Sequence, residues 1–334
     1  RLRRPDRRSM HSAAAISEHL DTRTAALEVA QLLEESMPGP SDLVLVFASF
    51  HHRAALPEAI ATLRDTLAPR HIAAITAESV LACDLELEGV AGFAAISLCL
   101  PGVTITPWRT HPSDPLPISR PQEIPGWIGL QEDTQAVLVL ADPFSTPVTR
   151  LLPALVECRK EPLPVIGGMA SGASQADHNR LVLDDGDWSR GAIGLTLSGP
   201  LELDYVVSQG ARPVGEPLRV TKADGNVLLE LCGLGAMDVL QQLSASMDER
   251  ERHLVQSGGL LLGRVIEEQR DHFGRGDFLV RNILGIDRKR GGIAAGEFIR
   301  PGRTVQFHVR DAQSAAEDLQ LLLDAQQLDE PPFA

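Results

Sequence analysis

The amino-acid sequence predicts a mixed α/β protein of layered, mixed sheets with flanking helices, in which a strand–helix–strand–hairpin unit is duplicated. The unit occupies residues 41–109 and recurs in the same order over residues 134–210. The spacing agrees as well, because Ala48 corresponds to Ala141 at an offset of 93 residues and one insertion of six residues aligns the remainder. Repeated units place their loops on a common face, where a pocket can form. The alternative is that such units are common in any layered protein and carry no sign of duplication.

Each copy is predicted from apolar runs and from the turn residues between them. A helix over residues 17–36 opens the chain and ends at Pro38-Gly39-Pro40. The first copy then predicts a strand at 41–48, a helix at 56–68, a strand at 71–76 and two strands flanking Pro101-Gly102. After a proline-rich linker, the second copy predicts a strand at 135–141, a helix at 148–158, strands at 163–169 and 180–183, and a hairpin of 191–197 with 201–208.

The last third of the chain predicts an arrangement in which strands outnumber helices. Residues 218–222 and 227–231 flank Ala223-Asp-Gly-Asn226, which indicates a hairpin. The other predicted elements are a helix at 235–247, strands at 260–266, 278–281, 291–295 and 304–310, and a helix at 314–328. The chain therefore divides into an N-terminal arm and helix at 1–37, a duplicated domain at 38–215 and a second domain at 216–334.

Composition narrows the possible functions. A formal net charge of −14 opposes binding to a phosphate backbone, so we expect no nucleic-acid partner. No apolar run approaches the ~18–20 residues that span a bilayer, and no signal peptide is visible, so we expect no membrane partner. The four cysteines form no CxxC motif, which favours a reducing, cytoplasmic setting.

The second copy contains one group of candidate ligand-binding residues. Asp142 follows an apolar strand, and strand ends that face a crevice often hold functional groups. Gly167 and Gly168 let backbone amides approach a carboxylate or phosphate, and Ser171 adds a hydroxyl. The structural alternatives are an aspartate that initiates a turn and a tight turn that needs glycine. Because Glu78 occupies the position of Ser171 in the first copy, we expect the two loops to be unequal sites.

The last third contains a second group of candidates. Arg281-Asn282 and Arg310-Asp311 are two Arg–Asx pairs near predicted strand ends. Paired arginines can frame a carboxylate through their bidentate geometry, so all four residues are candidate ligand-binding residues. The structural alternative is that they form ion pairs within the fold.

Other motifs give weaker signals. Gly233-Leu-Gly235 resembles the start of a dinucleotide fingerprint, but it follows a hairpin and lacks the third glycine. The adjacent His51-His52 would point to opposite faces of a strand, so we predict no metal site. No standard catalytic motif is present, so we assign no catalytic residue and favour a protein without enzymatic activity.

Several blocks of the sequence resemble the FIST (F-box and intracellular signal transduction) family. The run Val165-Ile-Gly-Gly-Met-Ala-Ser171 with Val207-Ser-Gln-Gly210 is similar to the end of the FIST N-terminal domain. Five further blocks are similar to the FIST C-terminal domain. They are Leu218-Arg-Val-Thr-Lys222, Leu229-Glu-Leu231, Gly276-Asp-Phe-Leu-Val-Arg-Asn282, Leu284-Gly-Ile-Asp287 and Thr304-Val-Gln-Phe-His-Val-Arg-Asp311. The resemblance covers about residues 41–325.

The resemblance implies a cytoplasmic, mostly bacterial sensory module that binds small ligands such as amino acids. It implies a small-molecule ligand, a signalling protein as a further partner and no required cofactor, although one bacterial subgroup is a haem-based gas sensor. No catalytic residue of the family can be carried over. The family usually has cysteine where this chain has Ala211, which removes any thiol role there.

The resemblance also implies that the C-terminal domain is truncated. Family members continue with a further strand–helix–strand segment, so the sequence resembles a fragment or a short variant. If that segment would cover the last region, the strand at 304–310 should leave an uncovered sheet face or edge that is prone to association.

We therefore predict a non-catalytic sensor of amino acids or similar small carboxylates, with a pocket between the two domains. A rival hypothesis is a small-molecule hydrolase that uses Asp142, Ser171 or His308. The others are a protein-interaction adaptor and a haem-based gas sensor.

Overall fold

The structure is a computed structural model that describes residues 10–326, apart from 207, 209, 267, 270–271 and 274–276. It confirms the predicted class, because helices flank several mixed and antiparallel sheets. The chain forms two compact units that divide between Leu203 and Asp204. The predicted domain boundary after residue 215 stays a prediction, and this position lies within one long strand of the second unit.

The first unit alternates strands and helices. Its elements are, in chain order, β1 (His11–Ser17), α1 (Thr22–Ser36), β2 (Leu43–Ser49), α2 (Leu56–Leu67), β3 (His71–Ala77), β4 (Ser79–Ala82), β5 (Leu85–Glu88), β6 (Phe93–Cys99), β7 (Thr104–Thr110), α3 (Ile124–Trp127), β8 (Thr134–Ala141), α4 (Val148–Val156), β9 (Val165–Met169), β10 (Leu181–Leu183), β11 (Gly186–Trp188) and β12 (Ala192–Ser198).

Two sheets pack face to face in this unit, with helices on their outer faces. The first sheet has the order β1-β6-β2-β3-β10-β11 and the second has the order β7-β12-β8-β9. Apolar side chains of both sheets, among them Ile75 and Leu195, share one core between them. The helices α1 and α2 cover the first sheet, and α4 with the segment around Ile124 covers the second. The layers therefore run helix, sheet, sheet, helix.

Strand register confirms the predicted duplication. In each sheet the first strand of the crossover pairs in parallel with the strand that follows its helix, as a helical crossover between neighbouring strands requires. Ala48 of β2 lies opposite Thr76, and Ala141 of β8 lies opposite Met169. Ala141 lies 93 residues after Ala48, and Met169 lies 93 residues after Thr76. The two copies therefore have the same strand pairing as well as the same order of elements.

The predicted bounds of the copies were wrong at β7. Ser17 of β1 pairs with Phe93, and Thr110 of β7 pairs with Ala192 in the equivalent way. The strand β7 therefore begins the second copy and does not end the first. The expected hairpin across Pro101-Gly102 is absent, because this turn carries the chain from the first sheet to the second.

Two further predictions for the first unit are corrected. The opening helix begins at Thr22, after the strand β1, because Asp21 accepts a hydrogen bond from the Thr24 amide at 2.9 Å and caps the helix there. Residues 201–206 form no strand, since Leu201 and Leu203 pack onto the inter-sheet core as part of a loop. Residue 207 of that predicted strand lies outside the described residues.

The second unit is built mainly from antiparallel strands. Its elements are β13 (Ala211–Asp224), β14 (Val227–Leu231), β15 (Leu234–Gly235), α5 (Ala236–Ser246), α6 (Glu249–Leu254), β16 (Leu260–Val265), β17 (Phe278–Asp287), β18 (Gly292–Ala295), β19 (Thr304–Arg310) and α7 (Ala312–Gln326). The predicted hairpin of β13 with β14 and the helix α5 are confirmed. The helix α7 is confirmed to residue 326, and the last two residues of its predicted range lie outside the described residues.

The strands of the second unit close into a barrel. The order is β13-β19-β16-β17-β18-β14, and β14 pairs back onto β13. Closure is possible because β13 changes register between Val214 and Leu218, where Gly215 has a φ of +68°. The predicted uncovered edge after residues 304–310 was therefore wrong, since β19 pairs with β13 on one side and with β16 on the other.

Candidate functional site

Asp142 is the centre of a buried polar network in the first unit. Its side chain is fully buried, and it accepts hydrogen bonds from Asn179 Nδ2 at 3.1 Å and Ser145 Oγ at 2.6 Å. Asn179 is also fully buried and accepts from Thr76 Oγ1 at 3.0 Å and from the Ala173 amide at 3.0 Å. The network therefore joins the end of β3 to the end of β8. Both carboxylate oxygens of Asp142 have partners within the fold.

Ser171 lies beside the residue that is its equivalent in the other copy. Its hydroxyl accepts a hydrogen bond from the Glu78 amide at 3.0 Å, and its amide donates to the Thr76 carbonyl at 3.1 Å. The two loops that we expected to be unequal sites thus meet at one place. Both Ser171 and Glu78 are exposed, so the place faces solvent.

Gly167 and Gly168 lie in the strand β9 and are both exposed. Gly167 has a φ of +136°, and a Cβ atom there would come within 1.9 Å of the Val139 carbonyl oxygen. Gly168 is different, because nothing lies within 4 Å of the position its Cβ would occupy. Glycine is therefore required at 167, whereas position 168 is open.

Asp311 is engaged within the second unit. It is 5 % exposed and accepts hydrogen bonds from Arg250 Nη2 at 2.9 Å, Ser314 Oγ at 3.1 Å and the Gln313 amide at 3.2 Å. Burial acts to raise the pKa of Asp311, but the Ser314 hydroxyl and the charge of Arg250 outweigh it and lower that pKa. Asp311 thus caps the start of α7 and forms an ion pair with Arg250, and the ion pair is what the structural alternative proposed.

The other three candidates of the second unit make no described hydrogen bond or ion pair with Asp311. Arg310 is exposed at the end of β19, and Asn282 is exposed on β17. Arg281 Nε lies 3.7 Å from Glu297 Oε2, which also pairs with Arg264 at 3.0 Å. The structure therefore does not join Arg281 and Arg310 into one carboxylate clamp through any contact among the described residues.

A cavity that sequence reasoning did not assign as a site opens on the second unit. It is an open cavity of about 530 Å³ at the end of the barrel where β14, β15 and α5 meet, within the usual size range of small-molecule sites. Its described lining residues are Lys222, Leu229, Glu230, Gly233, Gly235, Met237, Asp238, Arg290 and Gly291. The Gly233-Leu-Gly235 motif was the available signal, although it serves here as the link between β14 and α5.

The cavity carries charges of both signs. Lys222 Nζ lies 3.5 Å from Glu230 Oε1, a long ion pair. Arg290 hydrogen-bonds to Asp287, which raises the pKa of the arginine and lowers the pKa of the carboxyl group. Asp238, in the first turn of α5, has no hydrogen-bonded or ionic partner within the described part of the chain. The lining therefore presents a cation and a free carboxylate to anything that enters.

Each unit also contains a buried histidine. His52 is fully buried, and its Nδ1 lies 3.0 Å from the Thr22 hydroxyl. His308 is 1 % exposed, and its ring packs edge-on against Phe278. The Nε2 atoms of both rings have no hydrogen-bond partner among the described residues. Burial lowers the pKa of both imidazoles, because it penalises their charged form.

Acidification is expected to destabilise both units between neutral pH and about pH 5. A histidine whose folded-state pKa is lowered binds its proton in the unfolded state first, so stability falls as the pH drops below about 6.5. Melting temperatures measured from pH 7.5 to pH 5 should decrease, and His52→Gln with His308→Gln should flatten that decrease. The exposed His178 supplies the matched control, and a His178→Gln variant with the same effect would contradict the assignment.

The geometry does not assemble a hydrolase site from the rival candidates. Ser171 Oγ bonds to the Glu78 amide, and the described contacts include no carboxylate or imidazole at that hydroxyl. His308 Nδ1 lies 3.1 Å from the Gln306 carbonyl oxygen, inside the second unit. An activated nucleophile needs a base within hydrogen-bond reach, and these residues do not provide one.

The residues at the cavity also do not suit haem. Haem iron is held by histidine, cysteine, tyrosine or methionine, and Met237 alone represents these types among the described lining residues. Four charged side chains also line the cavity, whereas a haem plane needs apolar walls. Within the described residues, no group of three His, Cys, Asp or Glu side chains is placed to hold a metal ion.

Known proteins match most of the chain. An uncharacterized protein of Mycobacterium tuberculosis (strain CDC 1551 / Oshkosh) is 33 % identical over 329 residues, which cover 97 % of this chain and 83 % of the relative. An uncharacterized protein of Mycobacterium bovis is 30 % identical over 308 residues, covering 91 % of this chain and 77 % of the relative. None of the helices in the described part of the chain combines the length and the apolar character that crossing a bilayer requires.

Two family matches lie side by side along the sequence. The FIST N domain matches residues 42–233, and the FIST C domain matches residues 236–331. Together these matches include the barrel of the second unit and the sandwich of the first, apart from β1 and α1. The chain therefore belongs to the FIST family, whose domains are associated with signal transduction and small-ligand sensing.

Proposed function

We propose that this protein is a non-catalytic sensor that binds an amino acid or a similar small carboxylate in the cavity of the second unit. The observation that carries the proposal is the presence of both signs of charge around a cavity of about 530 Å³. In this proposal Lys222 binds the α-carboxylate and Asp238 binds the α-ammonium group. Leu229 and Met237 then offer apolar contacts to the ligand side chain.

The setting we propose is cytoplasmic, and the output is a signalling protein that reads the ligand-bound state. All four cysteines are free, which suits a reducing compartment. The family association with signal transduction supports a protein partner for the output.

Binding is expected to raise the melting temperature, because a ligand that binds only the folded state stabilises it by mass action. A panel of the standard amino acids and simple carboxylates at millimolar concentration should contain at least one stabilising compound. At a hundred times its dissociation constant, such a ligand adds about 2.7 kcal/mol. Isothermal titration calorimetry then gives the affinity.

Two sets of variants locate the site. Lys222→Ala and Asp238→Ala should each weaken binding at least tenfold if the ligand occupies the cavity. The site predicted from the sequence alone instead contains Arg281 and Ser171. Arg281→Ala and Ser171→Ala therefore test that alternative location. Affinity lost only in Arg281→Ala and Ser171→Ala would show that the ligand does not bind in the cavity. A panel without any stabilising compound would contradict the proposed ligand class.

A further inference from the structure

The two copies of the repeat differ at one sheet edge. In the first sheet, β10 lies along the outer side of β3, with Val182 opposite Ala74. In the second sheet the strand equivalent to β3 is β9, and β9 is an edge strand of that sheet. The hairpin β4–β5 of the first copy, which the repeat would place against β9, forms a separate two-stranded sheet. The edge that is occupied in one copy is therefore open in the other.

Backbone hydrogen bonds show which groups this open edge presents. The Ala170 amide donates to the Ala141 carbonyl, and the Val137 amide donates to the Pro164 carbonyl. Even-numbered residues of β9 thus face β8, because alternate residues of a strand bond to opposite sides. The N–H and C=O groups of Val165, Gly167 and Met169 therefore point outward and have no partner among the described residues.

The equivalent groups of the first copy are paired. The Thr76 amide donates to the Arg180 carbonyl at 3.1 Å, and the Asp184 amide donates to the Ile72 carbonyl at 2.8 Å. Ile72, Ala74 and Thr76 are the residues 93 positions before Val165, Gly167 and Met169. The first copy thus shows what fits the edge, namely an antiparallel segment of at least three residues.

The chemistry of β9 suits a copy of itself. Its sequence, Val165-Ile-Gly-Gly-Met169, has no charged residue and no proline, and its last three residues are exposed. The opposite edge of the same sheet, β7, contains Pro107 and Arg109, which protect an edge from further pairing. A two-fold contact places the same residues against each other, so an uncharged strand avoids like-charge repulsion in a chain of net charge −14.

We propose that β9 is a dimerisation edge, which pairs antiparallel with β9 of a second copy of this chain and has Gly167 at the two-fold axis. This pairing gives the outward groups of Val165, Gly167 and Met169 the partners that β10 gives to the first copy. Val165 of one protomer then lies opposite the partner subunit's Met169. The two sheets join into one continuous sheet of eight strands, twice the four of a single copy.

The oligomeric state of the full chain tests the proposal. Sedimentation velocity should show a dimer whose dissociation constant increases at least tenfold in Gly168→Asp. Position 168 has open space for a side chain, so this variant adds a charge beside the axis without disturbing the fold. Thr104→Asp, on the exposed end of the opposite edge, is the matched control and should leave the dimer unchanged.

Register is tested by crosslinking with a short bismaleimide, in a background where the exposed Cys83 and Cys232 are replaced by serine. An equal mixture of Val165→Cys and Met169→Cys chains should form a mixed crosslinked dimer, since directly opposite Cβ atoms lie about 5 Å apart. Each variant alone should crosslink far less. A monomer at all concentrations, a dimer that survives Gly168→Asp, or equal crosslinking of each variant alone would overturn the proposal.

Discussion

Replacing Asp142 with alanine is expected to destabilise the first unit by about 3 kcal/mol. The carboxylate is fully buried and accepts hydrogen bonds from Asn179 and Ser145. Its removal leaves the buried Asn179 amide without that acceptor and loosens the loop that Asn179 holds through the Ala173 amide. In a unit of about 200 residues, this loss lowers the melting temperature by roughly 6–12 °C.

The tryptophans make this effect measurable in one unit. Trp108, Trp127 and Trp188 are the three tryptophans of the chain, and all lie in the first unit, so fluorescence during urea denaturation reports its unfolding. Asp185→Ala is the control, because the Asp185 side chain is 92 % exposed and its loss should change stability by less than about 0.5 kcal/mol. A loss below about 1 kcal/mol in Asp142→Ala would show that the network does not stabilise the fold.

Sequence spacing predicted the repeat because the repeated features are local. An apolar run, a helix and a second run keep their separation in both copies, and the pairing of Ala48 with Thr76 recurs 93 residues later. Pairing between distant segments is not local, and there the prediction failed. Nothing in the sequence of β7 distinguishes a hairpin with β6 from the pairing with β12 that the structure shows.

The residues of the candidate site were likewise predicted where the signal is local and missed where it depends on distant segments. Asp142 was found because it ends a strand, but its partner Asn179 lies in a long loop without periodicity. Asp311 was recognised as a carboxylate near a strand end, whereas its role depends on Arg250, 61 residues away in sequence. The cavity around Lys222 and Asp238 requires closure of the barrel, which no single segment specifies.

Gly191→Ala is expected to destabilise the first unit by more than about 4 kcal/mol. Gly191 has a φ of +91°, and a Cβ atom would come within 1.9 Å of the Thr110 carbonyl oxygen. Its own groups are also engaged, since its amide donates to Ser145 Oγ and its carbonyl accepts from the Asp142 amide. Moving the backbone to relieve the clash therefore breaks the polar network as well.

The first copy supplies the matched comparison, because Gly92 occupies the equivalent repeat position. A Cβ at Gly92 would come within 2.4 Å of Val80 Cγ2, a side-chain atom and not a backbone atom, and the φ of Gly92 is not positive. Gly92→Ala should therefore cost less than Gly191→Ala, although both replace a glycine at the same place in the repeat. Urea denaturation measures the loss of unfolding free energy in each variant. Equal losses would mean that glycine is required only because neighbouring atoms lie close, and that the positive φ and the backbone clash at Gly191 add nothing.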